Sequence, residues 1–561
     1  MKPMKVLTAA EMQACDRATA ERYGVPTIEL MRAAARAVAG FARAVFADAR
    51  VVTVLAGRGN NGGDGLMTAR LLAEAGCKVE TILLGPAERF AADAAVAWAE
   101  LLAAARPGTV HVVEAPAQLE ALAALFDVDL IVDAVVGTGF QPPLKPLAAA
   151  ARELAGRSRA RVLAVDLPSG WEADSTAAAH EGVFAADAVI TFTAPKPAHL
   201  FGHLTRHWSQ PVAVAPIGSP EEAIVSASQL GWTTASLGLV QRPRAVAANK
   251  GNFGHVLVVG GSFGAMGGKA GAPSMAAAAA LRAGAGLVTA AVPAAALRVV
   301  AAVAPELMCW PMATEPHGGI GEENLAPERL KALLAGKTVL AVGPGLGQAR
   351  ETAGFLAGLL AAATVPTVLD ADALNLLAAN PVLLDSLGKD SRLADRTLVL
   401  TPHPGEMARL MRCTVATVQA SRLETARSLA MRMGAIVVLK GARTVVAHPD
   451  GRVAVNTTGN PAMAKGGSGD VLCGLVAALL AQHPAEPGAA VEAAVDLHGR
   501  AADLALESPA ADEHTLLATD TLAFLGRAFR ARPLEPFRSA GQTSYVVLAG
   551  RCHPASRQPS D

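Results

Sequence analysis

The sequence predicts two α/β domains, each built on a mostly parallel sheet with helices on both faces. Apolar runs alternate with alanine-rich helical segments twice, first from about residue 51 and again from about residue 254. Continuous apolar runs of this kind are typical of strands buried on both faces. The chain of 561 residues is also too long for one ordinary domain and suits two of about 200 to 300 residues.

Composition and charge narrow the class of protein. Lys plus Arg and Asp plus Glu both total 49, so the net charge of zero gives no reason to expect nucleic acid or a membrane as partner. Mean hydropathy is +0.34, but Arg, Pro or Gly interrupts every apolar run before about 18 residues, so no transmembrane helix is predicted. The first residues lack the apolar core of a secretory signal. The six cysteines form no CxxC pair. We therefore expect a cytoplasmic enzyme.

The first block, residues 1–220, is predicted to contain five strands. The run at 51–57 precedes "RGNNGGDG", read as a loop, and a helix from about Leu66 to Ala75. The other four strands are "VETILLG", "DLIVDAVVG", "RVLAVDLPSG" and "AVITFTAPK". The strand pattern then disappears, and residues 221–245 are predicted to be a linker.

The second block, residues 246–530, repeats the alternation with different motifs. Its strands lie in "GHVLVVGGS", "GLVTAAVP", "TVLAVGPGLG", "PTVLDADALNLL", "TLVLTPHPGE" and "AIVVLKG". "TVVAHPDGRVAVN" predicts a hairpin whose turn is Pro449-Asp450-Gly451. Residues 531–561 have no amphipathic period and are predicted to be a loose tail.

The segment "NPAMAKGGSGDVLCG", residues 460–474, predicts an anion site at the start of a helix. Glycines expose backbone amides, and the helix dipole favours negative charge there. Asp470 could take a proton from a hydroxyl that attacks phosphorus. A glycine-rich turn in which Asp470 only caps the helix is the alternative.

Three other segments of this block end strands with glycine or polar residues. They are "GPGLG" (343–347), "TPHPGE" (401–406) and "LKGART" (439–444), and the last puts Lys440 where a nucleotide could lie. Ligands of open α/β sheets collect beyond the carboxyl ends of the strands. Together with the glycine-rich segment, they predict a ligand site in the second block.

Oxygen donors end three strands of the first block. Asn61, Asp133 and Ser169 could converge at one sheet edge. One carboxylate with neutral oxygens suits a hard cation, and a monovalent ion better than Mg²⁺. The alternative is that Asp133 and Ser169 only cap helices.

Residues 245–525 resemble the ADP-dependent NAD(P)H-hydrate dehydratase family of the ribokinase-like superfamily. The resemblance lies in "NKGNFGHVLVVGGS", "AALRAGAGLVT", "GPGLG", "DADALN", "TPHPGEMARL", "LKGA" and "GNPAMAKGGSGDVLCG". It implies a ribokinase-like three-layer domain that phosphorylates the 6-hydroxyl of hydrated NADH or NADPH from ADP and then eliminates phosphate, leaving AMP. Mg²⁺ would accompany the nucleotide.

The same resemblance implies roles for named residues. Asp470 would be the base, and amides around Gly467 to Gly469 would hold the transferring phosphoryl charge. His403 would contact the hydrate, although a helix-entry residue satisfied by local backbone is the alternative. The residues implied to contact ADP are Lys440, Gly441, Ala442, Arg443, Thr444 and Gly469, and those implied to contact the hydrate are Ala272, Gly345, His403 and Asp470.

Residues from about 5 to 215 resemble the NAD(P)H-hydrate epimerase family, most specifically in "NNGGDGL" and "DLPSG". The resemblance implies a Rossmann-like three-layer domain that interconverts the R and S hydrates. Potassium would bind Asn61, Asp133 and Ser169. Asp166 would move protons, and Lys196 is a possible second proton carrier, expected to differ little from a surface lysine. The implied substrate contacts are Asn60, Asn61, Gly62, Gly63, Asp64, Gly137, Thr138, Gly139, Phe140, Gln141, Pro142, Pro143 and Asp166.

The two halves are complementary, because a dehydratase that accepts one epimer needs an epimerase to use the other. We therefore expect a bifunctional repair enzyme with small-molecule substrates and no nucleic-acid or membrane partner. A homo-oligomer is also expected. The alternative is a vitamin-precursor kinase of the ribokinase-like superfamily with an inert N-terminal nucleotide-binding module.

Overall fold

A computed structural model describes residues 5–90, 92–106, 108–264, 267–389, 396–532, 537–538 and 544–550. The described residues form two compact units. The N-terminal unit runs to Ser228 and also includes residues from Arg532 onward, and the C-terminal unit is Gln229–Ala531. Each unit contains one large sheet with helices on both faces, which confirms the prediction of two α/β domains.

The N-terminal unit has a parallel sheet in the order β7-β6-β5-β4-β1-β2-β3. Its strands are β1 (Val51–Ala56), β2 (Lys78–Leu84), β3 (Val110–Val113), β4 (Leu130–Ala134), β5 (Arg161–Val165), β6 (Ala188–Phe192) and β7 (Val212–Ala215). Its helices are α1 (Ala9–Tyr23), α2 (Thr27–Val45), α3 (Asn60–Glu74), α4 (Ala92–Ala104), α5 (Pro116–Glu120), α6 (Pro146–Arg157) and α7 (Pro197–Phe201). The strand order reverses between β1 and β4, which is where such sheets bind ligands.

Helix α3 begins at Asn60 rather than near Leu66, so the predicted loop is wrong. The glycines of "NNGGDG" lie in the first turns of the helix and allow it to approach the sheet closely. A Cβ on Gly62 would overlap the carbonyl oxygen of Gly57, and a Cβ on Gly65 would overlap the side chain of Ala134. Glycine is therefore required here for helix–strand packing.

The C-terminal unit has a ten-stranded sheet in the order β13-β12-β9-β14-β15-β16-β17-β18-β19-β8. Its strands, with a separate β10–β11 pair, are β8 (Leu230–Trp232), β9 (His255–Val259), β10 (Phe263–Gly264), β11 (Gly267–Gly268), β12 (Leu287–Pro293), β13 (Met308–Met312), β14 (Val339–Val342), β15 (Thr367–Leu369), β16 (Leu398–Leu400), β17 (Ile436–Leu439), β18 (Val445–Ala447) and β19 (Val453–Val455). The strands from β13 to β17 are parallel. Strands β18 and β19 are antiparallel, which confirms the predicted hairpin.

The helices of this unit cover the sheet, and one of them is buried along most of its length. They are α8 (Leu237–Val240), α9 (Gly271–Arg282), α10 (Leu297–Ala301), α11 (Pro327–Leu334), α12 (Arg350–Ala362), α13 (Asp372–Ala379), α14 (Pro381–Lys389), α15 (Pro404–Met411), α16 (Val415–Ala420), α17 (Arg422–Met433), α18 (Ser468–Gln482), α19 (Pro487–Ala505) and α20 (Thr521–Arg530). Every residue of α18 from Val471 to Ala481 is buried, as expected for a helix that is apolar all round.

The predicted linker is not a separate segment. Ser226 Oγ donates to the carbonyl oxygen of Val6, 2.8 Å away, within the N-terminal unit. From Gln229 the chain belongs to the C-terminal unit, where β8 pairs with β19 and the buried Trp232 Nε1 donates to Thr457 Oγ1 at 2.8 Å. The short strand "LGW" lacks the alternation that identifies longer strands, so the sequence pattern missed it.

The predicted loose tail is wrong for the residues that the structure describes. Strands β20 (Phe537–Arg538) and β21 (Ser544–Ala549) pair with each other, and β21 adds antiparallel to β7 in the N-terminal sheet. Tyr545 packs edge-on against Phe41, with ring centroids 5.3 Å apart. The run "SYVVLA" is rich in residues that favour strands, and β7 would otherwise be an exposed edge. Residues 533–536, 539–543 and 551–561 of the predicted tail lie outside the described residues.

No helix among the described residues is long and apolar enough to cross a membrane.

Candidate active sites

Asp133 and Ser169 meet at the carboxyl edge of the N-terminal sheet. Ser169 donates to Asp133 twice, from its hydroxyl at 2.6 Å and from its backbone N at 2.8 Å. Both side chains are fully buried. Burial raises the pKa of Asp133 to about 6, although hydrogen bonds from Ser169 and Val135 oppose the shift. Neither residue caps a described helix. The two side chains bond to each other instead, which contradicts the alternative that they only cap helices.

Asn61 presents an unsatisfied amide to the same edge. Neither Asn61 Oδ1 nor Nδ2 is exposed or has a hydrogen-bond partner among the described residues. A Cβ on Gly137 would lie 3.0 Å from Asn61 Oδ1 and 2.7 Å from Asp166 Oδ2. Asn61, Gly137 and Asp166 are therefore neighbours. A buried amide without a partner is costly, and a bound ligand or ion would satisfy it.

Asp166 follows β5 directly and is held by several donors. Its Oδ1 accepts from Lys196 Nζ at 2.9 Å and Thr191 Oγ1 at 2.8 Å, and its Oδ2 accepts from Thr138 N at 3.0 Å. Burial alone would raise the pKa of Asp166, but the charge of Lys196 and these hydrogen bonds hold it below its usual value. Asp166 is therefore an ionised carboxylate inside the protein.

Lys196 is not a surface lysine, and that expectation is wrong. Only 2% of its surface is exposed, because its ammonium is paired with Asp166. His199, in the same segment, is fully buried and had not been predicted. Burial and the nearby Lys196 charge lower the pKa of His199 to about 4, so its ring is neutral at pH 7.

Two further carboxylates lie within electrostatic range of Asp166. Burial, followed by the charges of Asp166 and Asp16, raises the pKa of Asp64 well above its usual value. Burial raises the pKa of Asp16 to about 6, and Lys196 lowers it. Asp64 belongs to a predicted contact segment, but Asp16 was missed. It lies on α1, far in the chain from Asp64 and Asp166, so only the folded chain brings it to this cluster.

The other residues of the predicted hydrate segments differ in their surroundings. Asn60, Gly62 and Gly63 are in the first turn of α3. Thr138 contacts Asp166 through its backbone, and Phe140 N donates to the carbonyl of Gly137 at 3.0 Å. Gly139 has open space around its Cβ position. Gln141, Pro142 and Pro143 are exposed.

In the C-terminal unit, Asp470 lies in the first turn of α18. The turn before it contains Gly467 with φ of 95°, a left-handed conformation that favours glycine. Burial and then the charge of Asp370 raise the pKa of Asp470 to about 6, while Lys440 lowers it. A carboxylate with this pKa is mostly ionised at pH 7 and is a stronger base than an exposed one.

Lys440 lies beside the glycine-rich segment that precedes α18. Its Nζ is 2.7 Å from Asp370 Oδ1 and 3.9 Å from Glu406 Oε2. A Cβ on Gly469 would lie 3.2 Å from the same Nζ. Burial would lower the pKa of Lys440, but Asp370 and Glu406 raise it, so the ammonium stays charged next to the helix N-terminus.

The segment "LKGART" forms a tight turn between β17 and β18. Gly441 has φ of 132° and Arg443 has φ of 56°. Thr444 Oγ1 donates to the carbonyl of Gly441 at 2.9 Å, and Arg443 Nη1 donates to the carbonyl of Thr457 at 3.1 Å. Ala442 is exposed at the tip. The turn is thus fixed by its own side chains.

Ala272 and Gly345 are also brought together. A Cβ on Gly345 would lie 3.3 Å from the Cβ of Ala272 and 2.8 Å from the carbonyl oxygen of Lys269. Lys269 Nζ pairs with Asp372 Oδ2 at 3.1 Å. The sequence pattern had marked "DADALN" as a match but gave Asp370 and Asp372 no role, because their ionic partners lie in distant segments.

His403 shows the helix-entry contacts that were the alternative to substrate binding. Its Nδ1 accepts from Gly405 N at 3.0 Å and Glu406 N at 3.4 Å, which caps α15. Half of the side chain is exposed, at 50%. Burial of the remainder, followed by the charge of Lys440, lowers the pKa of His403. His403 Nε2 lies 3.3 Å from Glu406 Oε1, and Glu406 Oε2 lies 3.9 Å from Lys440 Nζ, so the ring lies near the lysine of the candidate nucleotide site.

Comparisons with known proteins agree with this division of the chain. Residues 256–523 match the family model described as NAD(P)H-hydrate dehydratase, and residues 27–198 match the one described as YjeF-related protein N-terminus. Fold, sites and matches together define a two-domain α/β enzyme that joins these two modules.

Relatives that match most of the chain identify its family. A bifunctional NAD(P)H-hydrate repair enzyme of Moorella thermoacetica is 39% identical over 94% of this chain and 97% of the relative. One of Escherichia coli is 35% identical over 94% of both chains. The chain therefore belongs to the family of bifunctional NAD(P)H-hydrate repair enzymes. Among solved structures, an ADP/ATP-dependent NAD(P)H-hydrate dehydratase of Bacillus subtilis, co-crystallised with ATP and Mg²⁺, is 30% identical over 52% of this chain and 96% of its own, with a TM-score of 0.42.

Proposed function

We propose that this chain repairs hydrated NADH and NADPH. The N-terminal unit interconverts the R and S hydrates, and the C-terminal unit dehydrates the S form with a nucleotide as phosphoryl donor. The observation that carries the proposal is the placement of Asp470, whose pKa is raised to about 6, in the same helix turn as Gly469 and beside Lys440.

Dehydration needs a better leaving group than hydroxide. Asp470 removes the proton of the 6-hydroxyl, and the hydroxyl oxygen attacks the terminal phosphorus of ADP. The amides of Gly467 to Gly469 stabilise the transferring charge at the start of α18. The ring nitrogen lone pair then expels phosphate as the C6–O bond breaks, and loss of a ring proton restores the double bond. AMP and phosphate are the other products.

The nucleotide lies along the turn from Lys440 to Thr444, with Gly469 beside it. Lys440 supplies a buried positive charge that Asp370 and Glu406 keep protonated. Mg²⁺ would accompany the phosphates, and the carboxylates of Asp370 and Asp372 are oxygen donors of the kind that would hold it. Ala272, Gly345 and His403 face the hydrate, and His403 binds it in addition to capping α15.

Epimerisation requires the hydroxyl to leave and water to return on either face. Two buried carboxylates with opposite pKa shifts suit the two proton transfers. Asp64, whose pKa is raised, donates a proton to the departing hydroxyl, and Asp166, whose pKa is lowered, accepts a proton from the water that adds. The negative charge of Asp166 also stabilises the iminium cation between the two steps. The reverse reaction exchanges the two roles and returns both protons.

Asn61, Asp133 and Ser169 would hold potassium. The unsatisfied Asn61 oxygen and the buried Asp133 carboxylate, which pairs with no Lys or Arg among the described residues, both favour a cation. A bound ion of this kind would supply positive charge at the sheet edge and would help to order the hydrate segments. The expected cytoplasmic location and homo-oligomer stay predictions.

The nucleotide assay separates repair from the rival vitamin-precursor kinase. Hydrated NADH is incubated with the protein and ADP, ATP or no nucleotide, and the absorbance of reduced nicotinamide is followed. We expect nucleotide-dependent recovery of NADH, and none with Asp470→Asn. A stable phosphorylated product without recovery of absorbance would favour the kinase.

A further inference from the structure

One short segment, residues 196–199, contacts both the side chain and the backbone of Asp166. Lys196 Nζ lies 2.9 Å from Asp166 Oδ1 and 2.7 Å from Thr191 Oγ1. His199 Nε2 lies 2.7 Å from the carbonyl oxygen of Asp166. All of these side chains are buried, so the contacts are shielded from water and from salt.

The backbone contact supports a strained conformation. Asp166 has φ of 66°, which is unfavourable for a residue other than glycine. His199 Nδ1 accepts from the backbone N of Lys196 at 3.0 Å, so the ring proton is on Nε2 and is donated to Asp166. The neutral ring thus ties the strained residue to the start of α7, and the fold maintains a conformation that the local sequence does not favour.

The side-chain contacts make the two oxygens of Asp166 unequal. Oδ1 accepts from Lys196 and Thr191. Among the described residues, Oδ2 accepts a hydrogen bond from the backbone N of Thr138 alone, and it lies next to Gly137 and the unsatisfied amide of Asn61. Oδ2 therefore retains acceptor capacity on the side where the hydrate segments converge.

We propose that Lys196 and His199 are positioning residues for epimerisation, which hold Asp166 so that Oδ2 is the atom that faces the hydrate and accepts the proton. The inference rests on the proposed epimerase function and assigns Lys196 a different role from that of a proton carrier. Lys196 fixes the rotamer of the carboxylate, and His199 fixes the backbone to which it is attached.

Lys196→Ala tests the side-chain contact. Without the ammonium, the carboxylate can turn away, and a misplacement of this kind lowers kcat about 100-fold. KM should change little, because Lys196 does not touch the hydrate. Methylamine, which can fill the vacated space as a cation, should restore part of the lost kcat. The control is Lys78→Ala, which removes an exposed lysine of the same unit and should leave the rate unchanged.

A pair of His199 variants tests the backbone contact independently. His199→Gln keeps an N–H donor and should retain much of kcat, whereas His199→Leu removes the donor and should lose about 100-fold. Nucleotide-dependent dehydration of the pure S hydrate is measured on every variant as the test of an intact C-terminal unit. If Lys196→Ala does not fold, this pair of variants still tests whether the segment 196–199 positions Asp166.

Several results would overturn the inference. These are an unchanged kcat in Lys196→Ala, a loss confined to KM, no response to methylamine, or equal losses in both His199 variants. Absence of epimerisation by the wild-type protein is a different outcome, because it would overturn the proposed function itself.

Discussion

Asp166 and Asp470, the carboxylates that we propose as bases in the two units, differ in how their surroundings act on their charge. Asp166 is buried but paired with Lys196, so its pKa lies below the usual value. Asp470 forms no ion pair among the described residues, so burial and Asp370 raise its pKa to about 6. Neighbouring groups thus give the same residue type two different proton affinities.

The raised pKa of Asp470 predicts a pH dependence of dehydration. The ionised base predominates above about pH 6, and protonation removes it as the pH falls through that value. The groups whose charges act on Asp470 include Asp370, Asp372, Lys440 and Lys269. We expect kcat/KM for the S hydrate at saturating ADP to fall about tenfold per pH unit below that pKa. A flat profile down to about pH 5 would show that Asp470 is not the base.

The proposed epimerase site can be tested by adding a single methyl group at Gly137. A Cβ there would lie 2.7 Å from Asp166 Oδ2 and 3.0 Å from Asn61 Oδ1. Gly137→Ala should therefore reduce the epimerisation rate by about 100-fold while the protein remains folded. Gly156→Ala is the matched control, because Gly156 lies outside the predicted hydrate segments and no contact lies within 4 Å of its Cβ position. Similar rates in the two variants would contradict the convergence of Asp166 and Asn61 at Gly137.

At the level of elements, the packing of α18 on α9 sets the position of Asp470. Gly474 lies on α18 where a Cβ would overlap the carbonyl oxygen of Ala276 in α9. The missing side chain lets the two helices approach closely. The helix that carries Asp470 is thus fixed by backbone contact as well as by its apolar faces.

Gly474→Ala should lower the free energy of unfolding of the C-terminal unit by about 1–3 kcal/mol, because overpacking forces the helices apart. Denaturant unfolding measures the change, and the dehydration rate should fall with it as Asp470 moves. Gly271→Ala, at the open start of α9, is the control and should be nearly neutral. Equal stability of the two variants would rule out the close contact.

The elements also show what the sequence could and could not predict. Strands such as β1 and β17 were predicted because their apolar runs and the glycines that end them are local signals. The start of α3 was missed because a run of glycines is compatible both with a loop and with a helix that packs closely on a strand. Lys196 and Asp16 were misjudged or missed because their burial depends on partners far away in the chain. Trp232 and Tyr545 likewise owe their burial to distant strands.

At the level of the whole molecule, epimerisation and dehydration on one chain would allow both the R and the S hydrate to be converted to reduced coenzyme. If dehydration accepts only the S hydrate, a mixture of R and S should be fully recovered by the wild-type protein. Asp166→Asn should recover only the part of the mixture that is S hydrate. Asp470→Asn should recover no reduced coenzyme. The amplitude of nicotinamide recovery measures this. Complete recovery by Asp166→Asn would contradict the assignment of epimerisation to the N-terminal unit.

Asp470→Asn should nevertheless interconvert the two hydrates at the wild-type rate, as measured by chromatography of the epimers. Loss of both activities in this variant would contradict two separate sites.

Phosphorylation before elimination is tested most directly by the fate of the 6-hydroxyl oxygen. S hydrate carrying a heavy oxygen isotope in that hydroxyl is dehydrated with ADP by Asp166→Asn, which prevents loss of label through epimerisation. If the 6-hydroxyl is phosphorylated with Asp470 as the base, and the phosphate is then expelled, the heavy oxygen appears in inorganic phosphate. Heavy oxygen found in water, with unlabelled phosphate, would contradict the mechanism.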